Sequence, residues 1–280
     1  MVWQPDRLTP HLTPLAPCPW AGAPPFTVHH CDTIDSTNTQ LWHWLDRGFP
    51  SGTVLIAQSQ HSGRGQWDRS WQSEPGGLYL SLGLRPQNLP ASEAQRLNFG
   101  TVWGIAQILQ DCGFPIGLKW PNDLVAQGKK LGGVLIETRL RGGRISEAVV
   151  GVGLNWRNAV PTGAIALADL NPQSSISNLE TLAAIVLQGL AHGYHHWLNP
   201  NTPLDRLLPD YLSHCINLHQ TIPLPPNSPQ FPPLAPSNPQ EPPTGRIIGI
   251  TPQGCLQVQI GTTLQTFQPG EIQLGYPDHA

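Results

Sequence analysis

The stretch LKWPNDLVAQGKKLGG, Leu118 to Gly133, holds Lys119, Lys129 and Lys130, and the rest of the chain holds no lysine. Its pattern reads as an interrupted hairpin. Leu118 to Trp120 fits a strand, and Pro121, which has no N–H, must break the ladder. Asp123 to Val125 resumes a strand, Gln127-Gly128 turns it, and Lys130 to Thr138 returns. A turn centred there sets Lys130 opposite Val125. Asp123 is then its diagonal neighbour on the same face, about 7–8 Å away at Cα. A cation and a carboxylate face one space, and Gly132 and Gly133 remove side chains where something approaches the backbone. The same residues also fit a tight hairpin carrying a surface ion pair.

Outside this segment, charge is scarce. Only 12% of the 280 residues are charged, about half the usual share. The net charge of −3 gives no broad basic surface for nucleic acid. Surface lysine normally solvates a protein, so its confinement to one hairpin argues that these lysines are not generic solvating residues. No run approaches the ~20 apolar residues of a membrane span, and the first residues lack the pattern of a secretory signal. The five cysteines, Cys18, Cys31, Cys112, Cys215 and Cys255, are scattered with no CxxC pair. They read as free thiols in a reducing, cytoplasmic setting.

Residues 1–25 are proline-broken and predict an irregular arm. FTVHHCDTI from Phe26 predicts a strand. A helix follows over NTQLWHWLDRG, with Thr37 and Gln40 at capping-box spacing. TVLIAQ and GGLYLSLGL predict buried strands. Ser92 and Gln95 frame the start of a longer helix with Leu97, Thr101, Ile105 and Ile108 on one face, ended by Gly113. ISEAVVGVGLNW predicts another strand. Ser177 and Glu180 cap a helix with an apolar stripe from Leu179 to Trp197, and a shorter one covers Leu204 to His214. Residues 221–244 are too rich in proline for a core element and predict a linker. The short alternating runs of 245–280 predict a small β module. The class is α+β: a mixed sheet packed with helices over 26–220, then a small β barrel.

Other segments carry possible chemistry. GRGQWDRSW, Gly63 to Trp71, brackets Arg64 with two glycines, which permit positive φ and inward N–H groups. Arg64 and Arg69 offer forks for phosphate or carboxylate. The loop also fits an ordinary glycine-rich connection. Asp35-Ser36-Thr37-Asn38 lies at a strand-to-helix junction, where N–H groups, hydroxyls and an amide point outward; simple N-capping fits as well. GVGLN, Gly151 to Asn155, fits close packing at a strand end. His192, His195 and His196 stand at helical spacing, but no Cys, Asp or Glu joins them in register, so no metal site is expected there.

IDSTN, GRGQWDRSW, GGLYLS, LKWPNDL, GKKLGGVLIE and GVGLNW, in that order, closely resemble the catalytic domain of biotin protein ligase, or biotin–[acetyl-CoA-carboxylase] ligase. The resemblance is strong from Phe26 to Trp156 and weaker to Cys215. It returns in GRIIGITPQG and FQPGEIQL, which look like that family's SH3-like C-terminal module. It implies a class II synthetase-like catalytic domain and a two-step reaction. Biotin and ATP give biotinyl-5′-AMP, and a lysine of a biotin carboxyl carrier domain of acetyl-CoA carboxylase then takes the biotinyl group.

The resemblance assigns Ser36, Thr37 and Asn38 to biotin contact, and Gln60, Arg64 and the loop residues Gly63, Gly65 and Gln66 to the region of its ring and carboxylate. It makes Lys130 the bridge between carboxylate and α-phosphate. Asp123 becomes the adenylation carboxylate and a candidate Mg²⁺ ligand. Arg69 and Asn155 fall on the nucleotide side, and Gly133 and Gly151 along the biotin tail. It further implies a monomer or homodimer without a DNA-binding domain. The family's loop often reads GRGRRGR; here Gln66 replaces an arginine and Asp68 a glycine, and Gly275 stands where some members place an arginine. A lipoate ligase or octanoyl transferase shares the fold, but carries an RR-x-x-GGG-like loop that this chain lacks. A biotin-binding module without activity and a proline-rich interaction scaffold are further alternatives.

Overall fold

A computed structural model describes residues 3, 4, 8, 26–171, 174, 176–224 and 243–276. Seven strands build the first sheet: β1 (Thr27–Ile34), β2 (Thr53–Gln60), β3 (Leu78–Leu84), β4 (Gly117–Lys119), β5 (Asp123–Ala126), β6 (Lys129–Arg141) and β7 (Arg144–Leu154). They lie in the order β1-β2-β3-β7-β6-β5-β4. Helix α1 (Thr37–Asp46) crosses over between β1 and β2, which are therefore parallel. Every other neighbouring pair in the sheet is antiparallel.

The alternation of strand side chains sorts the two faces. Leu78, Leu80, Leu82 and Leu84 of β3 join the main core with helices α2 (Gln95–Asp111) and α4 (Leu179–Trp197). The short helix α3 (Leu167–Leu170) precedes α4, and α5 (Leu204–His214) follows it. On the opposite face Leu41 and Leu45 of α1 pack on Leu55 and Val149. Beyond α1, that face carries Ser81, Gly151, Gly153 and Gly133, paired across three adjacent strands. Residues this small make room there for other side chains: Asn38 lies over Gly151 and the Trp71 ring over Gly153.

Helices α2 and α4 touch backbone to backbone. A Cβ on Gly104 would overlap the Gly189 carbonyl, and one on Gly193 would overlap the carbonyl of Gly100. Buried Arg96 ties the helices further, donating to the Trp197 and Thr202 carbonyls. An exposed helical Gly→Ala change gains about 1 kcal/mol. Overpacking costs about 1–3 kcal/mol and more where backbone must move. Gly104→Ala is therefore expected to lower stability by about 2 kcal/mol, measured by denaturant unfolding; a stabilised variant would contradict the close approach.

Three helix starts differ from the capping boxes read in the sequence. Ser36, not Thr37, caps α1, accepting from Thr39 N–H, because the Thr37 N–H and hydroxyl both go to Gln60 Oε1. Asn178, not Ser177, caps α4, while Glu180 is buried and accepts from the Gln4 N–H. Ser92 caps nothing: a 3-10 turn over Ala91–Glu93 runs into α2 through helical Ala94.

The second sheet contains β8 (Thr221–Pro223), β9 (Thr244–Ile250), β10 (Leu256–Ile260) and β11 (Thr263–Phe267), in the order β11-β10-β9-β8. Among the described residues it is open rather than a closed barrel. Thr221–Pro223, read from composition as the start of a linker, pairs with Thr244–Arg246. Proline is tolerated there because β8 is an edge strand. The rest of the proline tract lies outside the described residues, as does most of the N-terminal arm. Of that arm, Leu8 is buried in the core and Trp3 stacks on His30. Among the described residues Cys31, Cys112, Cys215 and Cys255 are free, and no helix is long and apolar enough to cross a membrane.

Candidate active site

This face of the first sheet floors a cleft of about 680 Å³. Its two ends differ in chemistry. At one end the β1–α1 junction brings Ser36, Thr37 and Asn38 over the sheet. The buried Ser81 hydroxyl lies 2.7 Å from Thr37 Oγ1 and 2.6 Å from Asn38 Oδ1. Gln60 bridges Thr37 and the Ser73 hydroxyl. Gly151 is required beneath them, since a Cβ there would overlap Asn38 Oδ1. These polar groups are fixed by one another, the condition for directed hydrogen bonding.

At the other end the lysine hairpin folds much as its sequence predicts. Val125 pairs with Lys130, and a bulge between Leu124 and Val125 then shifts the register so that Asp123 pairs with Gly133. The Lys130 side chain still reaches back to Asp123, with Nζ 2.6 Å from Oδ1. Lys119 Nζ lies 3.7 Å from Asp123 Oδ2. Asp123 and Lys119 are buried, whereas the Lys130 side chain is 32% exposed and lines the cleft. Burial pushes the Lys119 ammonium below its ordinary pKa, Asp123 opposes this, and Lys130 adds to it. Lys129 does not line the cleft; it pairs in the turn with Ala126.

The GRGQWDRSW loop is a small hairpin closed by Gly65 N–H to Arg69 O and Trp71 N–H to Gly63 O. Its positive φ values fall at Trp67 and Asp68, not at the two glycines where the sequence reading allowed them. Gly63 is needed for space: a Cβ would crowd Trp71 O and Ser73 Oγ. Arg64, Gly65, Gln66 and Arg69 line the cleft. Arg64 is 47% exposed and paired with Glu137 at 2.9 Å.

Of the site residues read from the sequence, Gly63 and Asn155 do not line the cleft. Asn155 is buried, accepts from Asn158 Nδ2 and bonds the Leu131 carbonyl through its N–H. His192 and His196 stack on Trp103, and among the described residues no cluster of three ligating side chains forms.

Two contributors escape a reading of the sequence. Glu137 accepts from Asn38 Nδ2 and Trp42 Nε1 besides holding Arg64, so one carboxylate ties the arginine loop to helix α1. Gly133, Leu135 and Glu137 stand two apart on one strand face, the signal that marks it. Tyr276 enters from beyond the second sheet, and its hydroxyl donates to Asp123 Oδ2. Lys130 thus engages one Asp123 oxygen and Tyr276 the other, so Asp123 is placed as a counter-ion to the lysines.

Residues 31–155 match the biotin/lipoate A/B protein ligase family. The bifunctional ligase/repressor BirA of Bacillus subtilis is 32% identical over 130 residues, covering 46% of this chain and 39% of that relative. The biotin–[acetyl-CoA-carboxylase] ligase of Mycobacterium tuberculosis is 32% identical over 178 residues, covering 60% of this chain and 64% of its own. The chain thus spans half or less of the BirA proteins it matches and under two thirds of the M. tuberculosis ligase. The biotin protein ligase of Aquifex aeolicus, solved with biotin and ATP, shares the fold with a TM-score of 0.70 at 23% identity, over 90% of this chain and 99% of that one.

Proposed function

We propose, from the premise that residues 31–155 form a domain of the biotin/lipoate A/B protein ligase family, that this chain attaches biotin to a protein lysine through biotinyl-5′-AMP. The observation that carries the reading is that Arg64 and Lys130 line one cleft together with a fixed array of hydroxyl and amide groups. Biotin has such a polarity: a ring with N–H and C=O groups, an apolar tail and a carboxylate. The ring would lie with Ser36, Thr37, Asn38 and Gln60. The tail would cross Gly133 and Gly151, and the carboxylate would meet Arg64 and Lys130.

Adenylation requires the biotin carboxylate to attack the α-phosphorus of ATP, with pyrophosphate leaving. Two anions about 4 Å apart repel by about 4 kcal/mol at an effective dielectric near 20. An ammonium between them reverses that sign, and no protein nucleophile is needed. Lys130 supplies that charge, Arg64 neutralises the carboxylate, and Arg69 and Lys119 add positive field on the phosphate side. Asp123 holds the lysines in place. In the second step an acceptor lysine attacks the mixed anhydride, forming an amide and releasing AMP. The acceptor in this reading is the biotin carboxyl carrier domain of acetyl-CoA carboxylase. Strands β8–β11 stand for the family's SH3-like module; their alternating buried Ile247, Val258 and Ile260 support this.

The test is intact-mass measurement of a carrier domain after incubation with the chain, biotin and Mg·ATP. A gain of one biotinyl group that needs both small molecules is expected. No gain, or a gain only when lipoate replaces biotin, would reject the assignment. Glu137 offers a second check. Glu137→Gln removes the charge holding Arg64 and is expected to raise KM for biotin about tenfold, roughly the worth of one charge-assisted hydrogen bond, with kcat nearly unchanged. An unaltered KM would mean Arg64 needs no such tether.

A further inference from the structure

We propose that Tyr276 is a positioning residue for adenylation, delivered to the lysine pair by the C-terminal segment; the inference rests on the biotin ligase reading. Its hydroxyl lies 2.5 Å from Asp123 Oδ2, and Lys119 Nζ lies 3.9 Å above its ring centroid. Asp123 Oδ1 is already engaged by Lys130. One carboxylate is therefore fixed from both sides, and its orientation sets where the Lys130 ammonium sits. The ring also shields Lys119 from water while stabilising its charge through the aromatic face.

The segment that carries Tyr276 is anchored independently of it. Trp120 Nε1 donates to the Gly254 carbonyl at 2.9 Å, and the Trp67 ring lies across Gly270, which has no side chain to obstruct it. Burial, reinforced by Asp123, raises the Tyr276 phenol far above its ordinary pKa, so it stays a donor across the working pH range. The cleft of about 680 Å³ includes Tyr276 in its wall. That volume lies within the ~300–1,000 Å³ usual for small-molecule sites, so the tyrosine need not leave for substrates to enter.

Without the hydroxyl, Asp123 Oδ2 keeps only Lys119 among the described residues, at 3.7 Å, and the carboxylate can turn. Tyr276→Phe retains the ring and its cation contact and removes only that hydrogen bond. It is expected to lower kcat of biotin-dependent pyrophosphate exchange about tenfold, with KM for biotin and the unfolding midpoint changed little. A merely structural role would shift the midpoint and leave the split between kcat and KM untouched. Because the chain has three lysines, amine labelling followed by peptide mass mapping gives a readout that does not require activity: Tyr276→Phe should label Lys130 several-fold faster and leave Lys119 as it is. Wild-type exchange and wild-type labelling in Tyr276→Phe would overturn the inference. So would faster exchange or tighter ATP use, which would make the tyrosine an obstruction. If the wild-type chain shows no biotin-dependent exchange while the labelling shift appears, the ligase reading fails and the positioning contact stands.

Discussion

Lys130→Ala is expected to abolish biotin-dependent pyrophosphate exchange, by about a thousandfold, the scale on which a preorganised charge acts in a transition state, while biotin still binds within about tenfold. The asymmetry follows from where the charge works. On the proposed reading Arg64 also meets the biotin carboxylate, so ground-state binding keeps one cation. On that same reading the carboxylate and the phosphate oxygens crowd together in the transition state, with the Lys130 ammonium between them. The loss should therefore fall on kcat. Lys130→Arg should not rescue it, because a planar guanidinium cannot take the place of a compact ammonium 2.6 Å from Asp123 Oδ1. Exchange at the wild-type rate in Lys130→Ala would remove the bridge from the mechanism.

Asp123→Ala should damage both folding and chemistry. It leaves Lys119, 6% exposed, beside Lys130 with no counter-ion. Removing one partner of a buried pair costs about 3–5 kcal/mol, and Lys130 loses the contact that aims it. Unfolding free energy should fall by about 3 kcal/mol and exchange by at least about a hundredfold. The pH dependence has a definite sign. The folded chain already holds Lys119 below its ordinary value, and loss of the carboxylate removes the main group opposing that shift. A lowered folded pKa means the unfolded chain binds more protons, so stability rises with pH between the lowered value and about 10.5. The variant should thus recover part of its deficit as pH rises toward that limit. A variant as stable as wild type across neutral pH would show that Lys119 does not depend on Asp123.

Much of this site is legible in the chain because its elements are local. The pairing of Val125 with Lys130 follows from the turn at Gln127-Gly128, and the Asp123–Lys130 approach follows from that register. The bulge between Leu124 and Val125 does not. Helix caps depart from their sequence spacing where a residue is held by a distant partner. Thr37 is claimed by Gln60, and Glu180 by the Gln4 N–H. Tyr276 is illegible for a different reason. It meets Asp123 across 153 positions of sequence, and nothing periodic encodes a contact that depends on how one sheet docks on another. Strand β8 is hidden because composition marks a proline-rich stretch as a whole, whereas an edge strand needs only a few residues with one free side. Gly63 and Asn155 sit behind the cleft wall rather than in it, a distinction that motif position alone does not make.

The joining of the two reactants in one cleft is tested most directly by pyrophosphate exchange into ATP with no acceptor protein present. Label should enter ATP when biotin is added and stay at background when lipoate or octanoate replaces it. Exchange that runs equally well without biotin, or that lipoate supports and biotin does not, would contradict the assignment of Arg64 and Lys130 to a biotin carboxylate meeting the α-phosphate.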